Sequence, residues 1–258
     1  MSAPHGPRAP RSTARRVWLI DLDDTLHDAS RAAFGPLAEA MTGYIADHLG
    51  VDAHTAAALR RHYWRRYGAT LLGLVRHHGV DAAHFLEHTH RLPGLEQRLH
   101  TSAHDRIALA RLRGTKVVLT NAPRAYALRV LGALRLLRHV DAVIAVEDMV
   151  MFGELRPKPD ARMLRRLLAR LRVPATRCVL VEDTLAHQKA AHALGMRTAW
   201  MQRYIGGRGG GHAGASSAMG STAPKEGDER VAASVRRCPR PAYVCARIPS
   251  LLALTRLA

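Results

Sequence analysis

Two carboxylates stand two residues apart directly after a short apolar run near the start of the chain. The run at residues 17–20 leads into the sequence DLDDT at residues 21–25. The carboxylate of Asp21 can attack a phosphorus atom in line, and Asp23 can protonate the leaving oxygen and later deprotonate the hydrolytic water. The alternative is an acidic turn that caps the next helix, a common use of Asp and Thr.

The same acidic group also predicts a metal ion. Three carboxylates this close together repel one another unless a cation lies among them. Mg²⁺ prefers a few carboxylates together with waters and phosphate oxygens. The sequence therefore predicts that Mg²⁺ is the cofactor.

Three later segments place further polar residues after apolar runs or in tight loops. They are Thr120 and Asn121, then Lys158 between two prolines, and finally Glu182, Asp183 and Thr184. A hydroxyl, an amide and a compact cation suit a transferring phosphoryl group, and two more carboxylates suit a metal. Each has an ordinary alternative as a turn, a solvated loop charge or a helix cap. Their joint occurrence in this order favours a single site.

Short apolar runs alternate with longer helical patterns along most of the chain, which is typical of βαβ units around a parallel sheet. The predicted strands are 17–21, 116–120, 142–146, 178–182 and 198–201, and the predicted helices are 124–137, 160–172 and 185–194. The strands lack strict alternation, so helices should cover both faces. This predicts an α/β fold with a doubly wound, Rossmann-like parallel sheet, in which ligands bind beyond the carboxyl ends of the strands.

The stretch from 29 to 105 interrupts this alternation with apolar residues at helical spacing. We interpret it as an inserted all-helical cap domain, with the catalytic core formed by 17–28 and 106–204. The alternative is a set of helices that merely pack on the sheet.

The two ends of the chain differ in composition from the core. Residues 1–16 are predicted to be a flexible N-terminal arm, and residues 205–239 a Gly-rich disordered insertion. Residues 240–258 regain apolar side chains that can supply a last strand and helix of the core. The competing interpretation is a disordered tail that runs to the C-terminus.

The formal charge of +18 raises the question of nucleic acid, since Lys and Arg neutralise phosphates. Only four of the 39 basic residues are Lys, and the Arg residues are scattered among Ala and Leu. This pattern indicates a compositional bias and argues against nucleic acid as the main partner.

The chain shows no apolar run long enough to span a membrane and no secretory signal pattern. Its three cysteines have no metal-binding or redox spacing, which favours free thiols in a reducing compartment. We therefore expect a cytoplasmic protein.

Taken in order, the four motifs resemble those of the haloacid dehalogenase (HAD) superfamily, over residues 17–204. The resemblance implies that Asp21 is the nucleophile and Asp23 the general acid/base, and that the phosphoryl group is stabilised by Thr120 and Lys158, with Asn121 also binding phosphate. It implies a metal held by Asp21, the backbone carbonyl of Asp23, Asp183 and Glu182, with Thr184 and His187 supporting these ligands. The insertion after the first motif resembles the superfamily's helical cap, which closes over the substrate.

Within the superfamily, the sequences YWRRYG at 63–68 and VEDTL at 181–185 are similar to the pyrimidine 5′-nucleotidase subgroup. This implies a pyrimidine nucleoside 5′-monophosphate as the small-molecule partner. Its base would stack on Tyr63, Trp64 or Tyr67, and its phosphate or sugar would lie near Arg65 or Arg66. The alternative for these aromatic residues is the core of the cap.

One position departs from the family pattern. Four residues after Asp183 the family usually has Asn or Asp, whereas this chain has His187. A histidine can still hydrogen-bond the catalytic lysine or a metal-bound water, but its charge near neutral pH makes such a contact sensitive to pH.

The expected activity is that of a Mg²⁺-dependent phosphomonoesterase. Asp23 favours phosphoryl transfer, because a dehalogenase has no leaving oxygen to protonate. The alternative substrates are phosphoglycolate and sugar phosphates, and an intramolecular transfer stays open. In a different class, the alternative is a catalytically impaired HAD-like protein that binds nucleic acid.

Overall fold

The structure is a computed structural model that describes residues 16–205 and 239–257. The predicted flexible arm and Gly-rich insertion lie almost entirely outside these residues. Among the described helices, none combines the length and the apolar character that crossing a membrane requires.

A six-stranded parallel sheet forms the centre of the described chain. Its strands are β1 Val17–Ile20, β2 Thr115–Leu119, β3 Ala142–Ile144, β6 Cys178–Glu182, β7 Arg197–Met201 and β8 Ala246–Ile248. The order across the sheet is β3-β2-β1-β6-β7-β8, and a separate antiparallel pair is formed by β4 Val150–Met151 and β5 Glu154–Leu155. In register, Val17 lies opposite both Thr115 and Cys178.

Ten α-helices accompany these strands in the described residues. They are α1 Ala29–Ala32, α2 Phe34–Leu49, α3 Ala53–Tyr67, α4 Thr70–His78, α5 Ala82–Thr89, α6 Leu95–Arg98, α7 Ala103–Arg111, α8 Arg124–Ala133, α9 Ala161–Leu171 and α10 Leu185–Ala193.

Both faces of the sheet are buried under helices. Trp18 and Ile20 of β1 point into one apolar cluster, which α7 and α8 complete, while Val17 and Leu19 point into a second cluster completed by α9 and α10. A strand covered on both sides needs apolar residues at every position, which is why β1 shows no alternation in sequence. The predicted doubly wound parallel fold is confirmed.

The helices α2 to α5 have an apolar cluster of their own. It contains Tyr44, Tyr63, Leu74 and Phe85, and it also takes in Val146 from the core side. In contrast, α7 packs against the 3-10 helix Leu251–Arg256 near the C-terminus. The proposed cap boundary at residue 105 thus falls within α7.

Two predicted elements end earlier than the apolar pattern suggests. The helix predicted for 124–137 stops at Ala133, because Arg135 adopts a left-handed conformation with φ of 58° that no α-helix continues through. The strand predicted for 142–146 stops at Ile144, and the 3-10 helix Val146–Met149 follows. In both cases apolar side chains beyond the element are buried in a turn, so periodicity overestimates its length.

Gly73 permits the close approach of α3 and α4, and its replacement tests that packing. A Cβ atom on Gly73 would lie 2.1 Å from Cγ of Tyr63, well inside contact distance. We expect Gly73→Ala to lower the free energy of unfolding by about 1–3 kcal/mol, measured by urea denaturation. The matched control is Gly43→Ala in α2, where no atom lies within 4 Å, and it should stabilise by about 0.5–1 kcal/mol. Equal effects of the two changes would contradict this packing.

Candidate active site

The carboxyl ends of the central strands open into a cavity of about 570 Å³. All of the motif residues predicted for the core line it: Asp21, Asp23, Thr120, Asn121, Lys158, Glu182, Asp183, Thr184 and His187. Most of them lie at or just after the ends of β1, β2 and β6, which are neighbours in the sheet but far apart in sequence, while Lys158 comes from the loop before α9 and His187 from α10. The topology therefore brings the predicted core residues into one place.

Lys158 is the buried cation at the base of the cavity. Its Nζ donates to Asp21 Oδ1 at 2.5 Å, to Glu182 Oε2 at 2.9 Å and to the carbonyl oxygen of Leu119 at 2.8 Å. Burial works against the charged ammonium, but the charges of Asp21 and Glu182 outweigh it and raise the pKa of Lys158. The side chain is therefore fixed as a cation beside the predicted nucleophile.

Asn121 holds the loop that carries this lysine. The Asn121 side chain donates through Nδ2 to the carbonyl oxygen of Lys158 at 3.0 Å and accepts from the Lys158 backbone N–H at 2.8 Å. Its amide is thus engaged with the protein backbone. In this arrangement the side chain positions Lys158, and the role of Asn121 in phosphate binding stays a prediction.

The predicted nucleophile and its acidic neighbour differ in their protonation equilibria. Burial and the charge of Glu182 raise the pKa of Asp21 to about 8, although Lys158 opposes this shift. For Glu182, burial acts upward, but Lys158 and His187 hold its pKa well below the ordinary value. His187 takes part through Nδ1, which lies 3.0 Å from Glu182 Oε2.

The carboxylates of the cavity can hold a cation. Asp21, Glu182 and Asp183 each offer an oxygen, and these atoms lie within 4.8 Å of one another. An oxygen-only set of acidic ligands suits a hard divalent ion, which would also relieve the burial of negative charge at Asp21. The residues present therefore fit the predicted metal site.

Side-chain hydrogen bonds hold the backbone of the loop that carries Asp183. Trp200 Nε1 donates to the carbonyl oxygen of Asp183 at 2.9 Å, and Gln188 Nε2 donates to that of Glu182 at 2.7 Å. Thr184 Oγ1 lies 3.3 Å from Asp183 Oδ1. These bonds fix the position of the acidic pair relative to β6.

Asp23 has two partners that the sequence analysis did not identify. His27 Nε2 and the hydroxyl of Tyr126 each lie 2.9 Å from Asp23 Oδ1. His27 stands only two residues after the DLDDT sequence, which is a signal that could have been noticed. Tyr126 carries no such signal, because 103 residues separate it from Asp23.

The cap side of the cavity contains some of the predicted specificity residues. Trp64 and Tyr67 line it, together with Arg60, which the sequence analysis did not single out. Arg60 lies one helical turn before Trp64, so i, i+4 spacing could have indicated it. The other three predicted residues do not line the cavity: Tyr63 is buried in the cap core, with its hydroxyl 2.7 Å from His78 Nε2, and Arg65 and Arg66 are exposed.

A larger cavity, of about 1030 Å³, lies at the opposite edge of the sheet. Its lining is mainly basic, with Arg16, Arg177 and Arg197 near the start of their strands and Asp141 as its carboxylate. It has no pair of carboxylates for acid/base chemistry. The candidate active site is therefore the smaller cavity at the carboxyl edge.

A protein-family model described as haloacid dehalogenase-like hydrolase matches residues 16–195. The chain belongs to this family, as its fold and acidic cavity indicate. The resemblance of the four motifs to the superfamily is thus confirmed at this level.

Solved structures with the same fold include several HAD proteins. The HAD-hydrolase YfnB from Bacillus subtilis, bound to magnesium, is 16% identical, with 95% of this chain and 99% of that chain covered and a TM-score of 0.54. A HAD phosphatase from Thermococcus onnurineus is 17% identical over 94% and 97% of the chains, with a TM-score of 0.55. CbbY from Rhodobacter sphaeroides, in complex with phosphate, is 20% identical over 93% and 96%, with a TM-score of 0.56. At these identities the likeness shows the fold.

Proposed function

We propose that the protein is a Mg²⁺-dependent phosphomonoesterase that forms an aspartyl-phosphate on Asp21. The observation that carries this proposal is the contact of Asp21 with Lys158 at the carboxyl edge of the sheet, next to the acidic cluster with Glu182 and Asp183. The magnesium-bound and phosphate-bound neighbours of the same fold support it.

The residues divide the reaction between them. The Asp21 carboxylate attacks phosphorus, while Asp23 gives a proton to the leaving oxygen; Asp23 then takes a proton from the water that hydrolyses the aspartyl-phosphate. Lys158 and Thr120 stabilise the negative charge of the transferring phosphoryl group. Asp21, the carbonyl oxygen of Asp23, Glu182 and Asp183 would hold the metal. When bound there, Mg²⁺ would supply positive charge beside the phosphate oxygens.

Phosphate release is favoured over dehalogenation by the presence and setting of Asp23. Its carboxyl group lines the cavity and is held by two hydrogen-bond partners. A departing halide needs no proton, so a positioned acid there would have no task in a dehalogenase. The leaving oxygen of a phosphomonoester does need one.

For the substrate we propose a pyrimidine nucleoside 5′-monophosphate. Trp64 and Tyr67 supply flat aromatic surface across the cavity from the acidic cluster, on which a base can stack. Arg60 adds donors for the carbonyl oxygens of a pyrimidine, and its buried Nε has no hydrogen-bond partner among the described residues. Within the described part of the chain, Cys178 and Cys245 form no disulfide, and action in the cytoplasm stays part of this proposal.

The first experiment measures phosphate release from UMP, CMP, dTMP, AMP, phosphoglycolate and several sugar phosphates, each with Mg²⁺ or with EDTA. We expect release only with Mg²⁺, and the highest kcat/KM for the pyrimidine nucleotides. Faster turnover of phosphoglycolate or sugar phosphates would replace the nucleotide by those substrates. No release from any of them would contradict the phosphatase itself.

The aromatic wall can be tested at one position. We expect Trp64→Ala to raise the KM for UMP by about 5-fold to 100-fold, because stacking of a base on an aromatic ring contributes about 1–3 kcal/mol. The matched control is Trp64→Phe, which keeps an aromatic face and should retain most of the affinity. Phosphoglycolate, which has no base, should be hydrolysed equally by all three proteins. An unchanged KM for UMP in Trp64→Ala would exclude base stacking at this wall.

A further inference from the structure

Asp23 is held by two side chains that the proposed mechanism does not use. His27 Nε2 lies 2.9 Å from Asp23 Oδ1, and the Tyr126 hydroxyl donates to the same oxygen at 2.9 Å. One partner follows the first motif and the other lies on α8. The carboxyl group is therefore held by hydrogen bonds from two separate parts of the fold.

The two ring nitrogens of His27 differ in their hydrogen bonding. A carboxylate oxygen only accepts, so Nε2 must carry the hydrogen of the bond to Asp23. The ring is completely buried, and its Nδ1 has no hydrogen-bond partner among the described residues. A buried polar atom without a partner destabilises the fold. The hydrogen bond from Nε2 to Asp23 offsets part of this cost.

Tyr126 is suited to act as a permanent donor. It is 3% exposed, and a phenol ordinarily carries its proton at neutral pH. The hydroxyl therefore keeps its proton and continues to donate to Asp23 Oδ1.

Both donors bond to Oδ1 of Asp23, and this determines which of its two oxygens can carry a proton. Protonated Asp23 can still accept both hydrogen bonds at Oδ1 if its proton is on Oδ2. A proton on Oδ1 would instead oppose the two donors. Among the described residues no hydrogen bond to Oδ2 is formed, and Asp23 lines the cavity with 21% of its side chain exposed.

We infer that His27 and Tyr126 are positioning residues that make Oδ2 of Asp23 the proton-carrying atom of the reaction. This inference rests on the proposed phosphatase function. In the first step Asp21 bonds to phosphorus, the bond from phosphorus to the leaving oxygen breaks, and that oxygen takes the proton from Oδ2. In the second step water bonds to phosphorus and gives a proton to Oδ2, while the bond to Asp21 breaks and its carboxylate is regenerated.

The test compares two leaving groups in the phosphorylation step. An alkyl phosphate such as UMP needs the acid, whereas p-nitrophenolate leaves without a proton. Rapid-mixing experiments with Tyr126→Phe, His27→Leu and His27→Gln would measure phosphoenzyme formation from UMP and the burst of p-nitrophenol from p-nitrophenyl phosphate. If wild type does not turn over UMP, the alkyl phosphate that it hydrolyses best takes its place.

We expect Tyr126→Phe and His27→Leu to slow phosphorylation by the alkyl phosphate about 10-fold to 100-fold, part of the effect of a general acid. The burst from p-nitrophenyl phosphate should stay within about 2-fold, since a good leaving group does not use the acid. His27→Gln keeps an N–H donor and should recover part of the loss. Tyr126→Phe removes only a hydroxyl, so it carries the test even if His27→Leu does not fold.

Equal slowing with both leaving groups would overturn the inference, because a general distortion of the site does not discriminate between them. Unchanged rates with both would overturn it as well. Tyr44→Phe is the matched control: it removes another buried hydroxyl that bonds a histidine, His84 Nδ1 at 2.7 Å, and should leave both rates unchanged. Failure of the proposed function looks different, since wild type itself would then release no phosphate.

Discussion

The variant Asp21→Asn is expected to lose phosphate release by on the order of 10⁴-fold or more, the scale seen when a covalent nucleophile is removed. An amide is nearly isosteric with the carboxylate, so the cavity should keep its shape. Its oxygen is a far weaker nucleophile, and its nitrogen cannot replace the contact with Lys158 Nζ, which lies 2.5 Å from Asp21 Oδ1. The loss should therefore be chemical and not structural.

Steady-state phosphate release measures the loss of activity in Asp21→Asn. Isotope labelling identifies which bond of the aspartyl-phosphate is broken by water. When wild type turns over once in water enriched in ¹⁸O, the label should appear in inorganic phosphate. Over many turnovers the Asp21 carboxylate should stay unlabelled, because water bonds to phosphorus and the bond from phosphorus to the Asp21 oxygen is the one that breaks. Label in Asp21 would mean that water attacks its carboxyl carbon instead. The matched control is Asp47→Asn on the exposed surface of α2, which should keep full activity. Substantial turnover by Asp21→Asn would show that water attacks phosphorus directly.

The sequence predicts the sheet and the core of the site for the same physical reason. A strand buried on both faces leaves a continuous apolar run, and a run such as 178–182 coincides with β6 at both ends. Because parallel strands expose their carboxyl ends at one edge, polar residues that follow these runs must meet there. Asp21, Thr120 and Asp183 are brought together in this way without any contact having to be known in advance.

What the sequence could not provide depends on side-chain geometry. The pairing of Tyr126 with Asp23 requires the packing of α8 on the sheet, and the engagement of Asn121 with the backbone of Lys158 depends on the path of one loop. Helical spacing also could not tell which side of α3 faces the cavity. Tyr63 and Tyr67 are four residues apart, yet Tyr67 lines the cavity while Tyr63 lies in the cap core.

Replacing Lys158 by Met should affect both activity and stability. Removing a preorganised donor from a transferring group lowers kcat by about 10²–10³-fold, and the loss of a full charge adds to this. The same change leaves the buried carboxylates of Asp21 and Glu182 without their shared cation. Breaking a buried ion pair typically costs about 3–5 kcal/mol, so the free energy of unfolding in EDTA should fall by about that amount.

Adding Mg²⁺ distinguishes the effect of Lys158→Met on stability from its effect on activity. A divalent cation among the carboxylates replaces the missing charge, so Mg²⁺ should raise the Tm of Lys158→Met more than it raises the Tm of wild type, while kcat stays low. The matched control, Lys189→Met on the exposed surface of α10, should leave kcat and both Tm values unchanged.

Lys158→Arg keeps the charge but not the shape, because a planar guanidinium cannot reproduce the three bonds of Nζ to Asp21, Glu182 and Leu119. It should recover part of the stability and little of the activity. If Mg²⁺ instead stabilised Lys158→Met less than wild type, the cation would not be bound by these carboxylates, and the assignment of the metal site would be wrong.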